Sequence, residues 1–280
     1  MVRYSLSDLI GTSCYTIENQ GILVILNRIG GTVLNAAGGL ASTVSLTINQ
    51  FGSAIIMAFR PQIIKQYAAR EYKTMERLMI NCSKYAIILF SLFAVPAFLE
   101  TDFILGVWLK TVPTHTSTFC KIILLASFSQ IAVTTLACGI HATGKIFSFS
   151  LITGITYIIQ LPIIYYLIII TDNPNWAYIL SIIQLTINVF IISIMLRNRV
   201  SAFHIRTFVY HGFFIPTLIP VLCGMAVFPL TMLLDDGWLR FIVIGLATTS
   251  LIILSSWFII LDKQMQEEVI LKIKDKFSRS

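Results

Sequence analysis

Asp8 and Glu18 are two carboxylates in a stretch, residues 4–28, that is otherwise largely apolar. Holding an ionisable group inside hydrocarbon costs at least a few kcal/mol, so such groups face a cavity, a counter-charge or one another. There they bind a cation, carry a proton or accept hydrogen bonds from a polar solute. Asp8, Thr12, Tyr15 and Asn19 fall within about 60° of one another on a helical wheel, with Glu18 flanking them. Asn35, Ser42, Asn49 and Ser53 make a second stripe, and Ser127, Gln130, Thr134 and His141 a third that Lys145 extends. Thr156 shares a face with Gln160, and Ser181 with Gln184 and Asn188. For each amide or hydroxyl two readings stand: helix-to-helix hydrogen bonding, or lining a hydrated space. The candidate cavity residues are thus Asp8, Glu18, Asn19, Asn35, Asn49, Gln130, His141, Gln160, Gln184 and Asn188. Arg28 and Lys145 are candidate anion contacts, and Arg28 is equally readable as a snorkelling anchor.

Chemistry of other kinds finds little footing. The four histidines are dispersed, and no HExxH, DxD, Walker-type or GxGxxG pattern occurs. Cys14, Cys82, Cys120, Cys138 and Cys223 show no CxxC or metal spacing, and in apolar runs Cys acts as a small hydrophobe. No metal, no cofactor and no enzymatic activity are expected.

The elements that would position these side chains follow from composition. Of 280 residues 56% are hydrophobic and only 12% charged, about half the usual charged share. Mean hydropathy is +0.84. So few charges cannot cover a soluble fold of this size, and disorder needs more polarity. The expected class is all-α: a polytopic membrane bundle. A hydrocarbon core of roughly 30 Å takes about 20 apolar residues of helix. Uncharged runs at 29–59, 122–144, 146–171, 173–196, 207–234 and 241–261 meet that length. The stretch 4–28 adds one, and 85–99 another if Asn81–Lys84 stand at one membrane edge and Glu100 at the other. Eight spans put both termini on one side, and sixteen of the twenty Lys and Arg residues then share that side against four opposite. The positive-inside rule makes it the cytoplasm. The net charge of +7 is thereby topological, and no nucleic-acid partner is implied. Trp108, Trp176 and Trp238 fall at outer ends and Trp257 near an inner one, the headgroup levels that indole prefers. No cleavable signal peptide is visible.

Three further features bear on organisation. Residues 61–80 read as an interfacial amphipathic helix after Pro61, and 262–280 as a basic amphipathic cytoplasmic tail. Pro162, Pro216, Pro220 and Pro229 fall inside spans, where proline removes a hydrogen bond and kinks the helix. Residues 35–42 place small side chains four apart, which allows close helix contact.

Four segments carry a resemblance: Asn27-Arg-Ile-Gly-Gly-Thr-Val-Leu-Asn-Ala-Ala37; Arg60-Pro-Gln-Ile-Ile-Lys-Gln-Tyr-Ala68; Ile104-Leu-Gly-Val-Trp-Leu109 followed by Pro113; and Ala142-Thr-Gly-Lys145. In this order and spacing the chain resembles Wzx-type polysaccharide flippases, from the superfamily that includes multidrug extrusion transporters and the lipid II flippase. The resemblance runs from about residue 4 to 200. It implies a transporter of two six-helix lobes around a central cavity, of which these signatures match the second. Residues 1–200 would be that lobe, and 201–261 two additional membrane helices. The first lobe is missing, so Met1 would begin a truncated frame or one piece of a split gene.

The resemblance implies a flippase component of the bacterial inner membrane, working by alternating access on a lipid-linked oligosaccharide. The sugar and diphosphate head would pass through the cavity while the polyprenyl tail stays in lipid. Membrane lipids, a missing amino-terminal lobe and polysaccharide-assembly proteins are the expected partners. Three rivals stand beside it: a cation-coupled small-molecule antiporter, a membrane enzyme of polysaccharide assembly (a polymerase or acyltransferase), and an inactive truncated remnant.

Overall fold

The computed structural model describes residues 2–260, and among these the chain is helical with no strand. The amphipathic tail expected at 262–280 lies outside the described residues. Seven helices are long and apolar enough to cross a membrane.

Helix α1, Val2–Ala68, has 67 residues, about 100 Å if straight and some three times the thickness of a bilayer core. It is not straight. Gly30 (φ −119°, ψ 15°) and Gly31 (φ 65°, ψ −159°) leave helical geometry, and the chain folds back on itself there. A methyl group placed on Gly38 would come within 2.9 Å of the side chains of Leu23 and Leu26, residues just as far from the break on the other side. α1 is therefore two antiparallel arms, residues 2–29 and 32–68.

Each arm has its own neighbours. Gly11 lies against Ser150, Cys14 against Gly154 and Gly21 against Leu161, so the first arm runs parallel to α5, Phe147–Thr171. The second arm runs parallel to α4, Thr116–Ala142, through Ser45 beside Ser127 and Gly52 beside Ile131. It runs antiparallel to α2, Tyr72–Leu99, with Phe51 stacked on Phe93 (3.8 Å), Phe59 near Tyr85 (6.1 Å) and Tyr67 near Tyr72 (5.7 Å). α6, Trp176–Arg197, is parallel to α4 and antiparallel to α5, as the pairs Ser129–Thr186 and Gln160–Ser181 show. The largest core lies between α2, α4 and α6, with Phe90 meeting Phe128 edge-on at 5.1 Å.

The remaining helices sit to one side. A short α3, Thr101–Trp108, follows α2. After α7, Ile205–Thr207, a π-helical turn Phe208–Phe214 leads into α8, Ile215–Leu233. Next comes α9, Trp238–Ser255, which ends in a second π-helical turn, Ser256–Ile260. α8 and α9 pack on α2 through Val95, Ile219, Cys223 and Ile252, peripheral to the arms of α1.

One expectation is corrected. Residues 61–80 are not one interfacial helix. α1 continues through Pro61 to Ala68, the chain turns at Arg70 (φ 62°), and α2 starts at Tyr72. The amphipathic pattern belongs to two helix ends rather than one helix. Lys84 lies within α2, twelve residues after its start, and is buried at 9% exposure. Helical geometry runs through Pro162, Pro220 and Pro229, and the π-helical turn widens the backbone just before Pro216.

Candidate functional site

Between the arms of α1 and helices α4, α5 and α6 lies a cavity of about 470 Å³. Its wall is built turn by turn from the polar stripes. The first arm supplies Tyr15, Thr16, Glu18, Asn19 and Gln20, and the second arm Ser42, Ser45, Asn49 and Ser53. α4 contributes Ser127, Gln130 and Thr134; α5 contributes Tyr157; and α6 contributes Tyr178 and Ser181. Thr16, Asn19, Gln20, Leu46 and Ser53 remain exposed, so the cavity opens on the side of the two arms.

Glu18 is the inward-facing member of its turn, at 5% exposure, while its neighbours Ile17 and Asn19 are exposed. Among the described residues no salt bridge or hydrogen bond engages its carboxylate. Tyr15, one turn earlier, meets Tyr157 edge-on at 5.6 Å. Asn49 spans the floor: its Nδ2 donates to the Ser45 carbonyl (2.9 Å), Ser45 Oγ (3.0 Å) and Ser127 Oγ (2.8 Å). Ser127 and Thr134 return their hydroxyl protons to the carbonyls of Ile123 and Gln130. This is a pre-ordered amide–hydroxyl surface, with the remaining lone pairs and the Asn49 carbonyl oxygen free to meet a solute.

The expected site residues divide. Glu18, Asn19, Asn49 and Gln130 line the cavity together. Asp8 is exposed toward the start of the first arm, and Asn35 is half-buried near the Gly30–Gly31 turn; neither reaches the cavity. His141 packs edge-on against Phe149 at 5.9 Å, below the cavity on α4. Gln160, Gln184 and Asn188 are corrected to interhelical ties. Gln160 Nε2 donates to Ser181 Oγ (2.9 Å), and the side-chain nitrogens of Gln184 and Asn188 donate to Thr156 Oγ1 (3.2 and 3.3 Å). All three are buried between α5 and α6, whose polar faces pair through the side-chain nitrogens while the Gln160 and Gln184 oxygens find no partner among the described residues. Arg28 and Lys145 stand away from the cavity. Arg28 is exposed at the end of the first arm with its guanidinium 5.8 Å from the Tyr165 ring centroid, and Lys145 is exposed in the turn after α4. Neither touches the cavity.

Sequence reasoning missed Tyr157 and Tyr178, whose signal was an aromatic hydroxyl on the faces that already carried Gln160 and Ser181. It also missed an ion pair at the opposite side of the bundle. Glu100, 1% exposed, accepts from Arg240 Nη2 (2.9 Å) and Nε (3.2 Å), and Arg240 also pairs with Asp236. The pair ties the end of α2 to the start of α9. Nearby, Lys121 Nζ donates to Asp102 Oδ2 at 2.9 Å. Partial burial works to raise the Asp102 pKa, but hydrogen bonds from Ser117 and Lys121, with the Lys121 charge, outweigh it and hold the carboxyl below its usual range.

Compared with family models, curated proteins and solved structures, the chain matches none of them.

Proposed function

We propose that this chain moves the sugar head of a lipid-linked glycan across a membrane, as a flippase or a component of one. The observation that carries the reading is the cavity: about 470 Å³ in which amides, hydroxyls and one carboxylate share the wall with apolar side chains such as Ile22, Leu23, Ile56 and Leu185. A sugar cannot enter hydrocarbon without replacing its hydrogen bonds to water, at a cost of several kcal/mol per unreplaced group. Asn49, Gln130, Ser127 and Ser181 offer such partners, and the opening beside the arms of α1 leaves room for a lipid tail to stay in the bilayer. The four sequence segments that resemble Wzx-type flippases support the same reading.

In this reading the two arms of α1 each cross the bilayer, which gives eight crossings with both termini in the cytoplasm. The antiparallel arms and the alternating directions of α2, α4, α5 and α6 suit that arrangement. The membrane would be the bacterial inner membrane, and movement of the helices around the cavity would open it to each side in turn. Glu18 is the carboxylate placed to couple transport to a cation or to contact substrate.

A lipid-linked disaccharide bearing a diazirine on its sugar tests the assignment. After illumination, crosslinks should map to the α1 arms and α4 around Asn49 and Gln130, and Asn49→Leu should reduce their yield about tenfold. Crosslinks confined to α8 and α9, or unchanged by Asn49→Leu, would reject the cavity as the sugar site.

A further inference from the structure

We infer that the cavity admits only sugar units that are uncharged or carry an amine, and rejects acidic ones. This rests on the carbohydrate reading above. The inference comes from the charges of the wall rather than from its hydrogen bonds. Among the described lining residues there is no Lys, Arg or His, and the one charged type is Glu18. The cations nearest in sequence to the wall stand outside it: Lys121 pairs with Asp102, Arg60 is exposed, and Arg28 lies over Tyr165.

An anion entering this space leaves water and gains no counter-charge. If Glu18 is ionised the anion is also repelled, and if Glu18 is neutral the anion is still unpaired, so the sign of the selection is the same in both states. An ammonium group is treated oppositely. It gains the Glu18 carboxylate, and beside it the faces of Tyr15 and Tyr157, whose rings attract cations. Uncharged hydroxyls meet the amide and hydroxyl surface of Asn49, Ser127 and Gln130. A uronic acid or a phosphate-substituted sugar finds no such partner, so a diphosphate linkage must remain outside this wall while the sugars occupy it.

Thiol labelling reads this charge rule without a known substrate. Gln130→Cys, and separately Ser181→Cys, is treated in a neutral detergent with methanethiosulfonates of equal size. One is uncharged, one carries a trimethylammonium and one a sulfonate. Rates are normalised to a small free thiol and corrected by the parent chain, whose five cysteines set the background. The expected result is ready reaction with the uncharged reagent and at least a tenfold preference for the ammonium over the sulfonate, as the Coulomb energy of one carboxylate at this range implies. Glu18→Gln should lower that ratio severalfold without reversing it, because the sulfonate still finds no counter-charge and the tyrosine rings remain. Equal rates for the two charged reagents on both reporters would overturn the charge rule and leave the carbohydrate reading standing. Failure of the uncharged reagent to reach either thiol would show a dry interior and overturn both.

Discussion

At the scale of single residues, the strongest electrostatic tie is remote from the cavity. Glu100 is fully enclosed and Arg240 nearly so, and they join helices 140 residues apart. Removing Arg240 leaves Glu100 buried and unpaired, whereas removing both leaves an apolar contact. Arg240→Leu should therefore lower stability by about 3 kcal/mol, while adding Glu100→Leu should recover most of the loss. Thermal unfolding of the four corners of that cycle in detergent reads the difference, and an additive double variant would show that the pair is not coupled. Glu18 was legible from sequence because a carboxylate in an apolar run has few permitted environments. Gln160, Gln184 and Asn188 were legible only as faces. Periodicity identifies which side of a helix is polar but not whether that side meets water or another polar helix, and here α5 and α6 meet each other.

Among the elements, the turn inside α1 sets the geometry of the site, because it brings Glu18 and Asn49 from two arms to one wall. Gly31 makes the turn with φ 65° and ψ −159°, a region open essentially to glycine alone. Gly30 keeps a φ that other residues adopt, but a methyl group there would overlap Leu34 Cδ1 and Cγ, so Leu34 must move. At Gly31 there is open space and the cost is the backbone alone, so Gly31→Ala and Gly31→Asn should each destabilise by about 1–3 kcal/mol. Chemical or thermal denaturation of the two variants would reveal the loss, and unchanged stability would contradict a turn that depends on glycine at this position. That the chain is built of long apolar helices was readable from run lengths, and so was a break between the first two runs. The end of the second arm was not: the pattern after Pro61 is amphipathic, but its continuation from α1 depends on packing against α2, which periodicity does not encode.

For the whole molecule, the layout is lopsided. The α1 arms with α4, α5 and α6 surround the open cavity, and α8 and α9 are fastened to the far side of α2. The polar stripes read from the sequence all lie before α8 and α9. The proposed eight crossings would place the Arg70 turn and the Asp172 turn on opposite faces of the membrane. Cysteines introduced at Arg70 and Asn173 should accordingly react with an impermeant reagent from the inside and outside respectively, and same-sided reaction would contradict the arrangement. The central claim is that a sugar head crosses through this cavity, and plugging it tests that most directly. In vesicles containing the protein, flipping of a fluorescent lipid-linked disaccharide is followed by quenching of the outer leaflet, with Ser127→Trp filling the space between Asn49 and Gln130. The account predicts flipping by the native chain, alone or with its partner lobe, that falls to the protein-free rate in the folded Trp variant. Undiminished flipping with the cavity filled would contradict it.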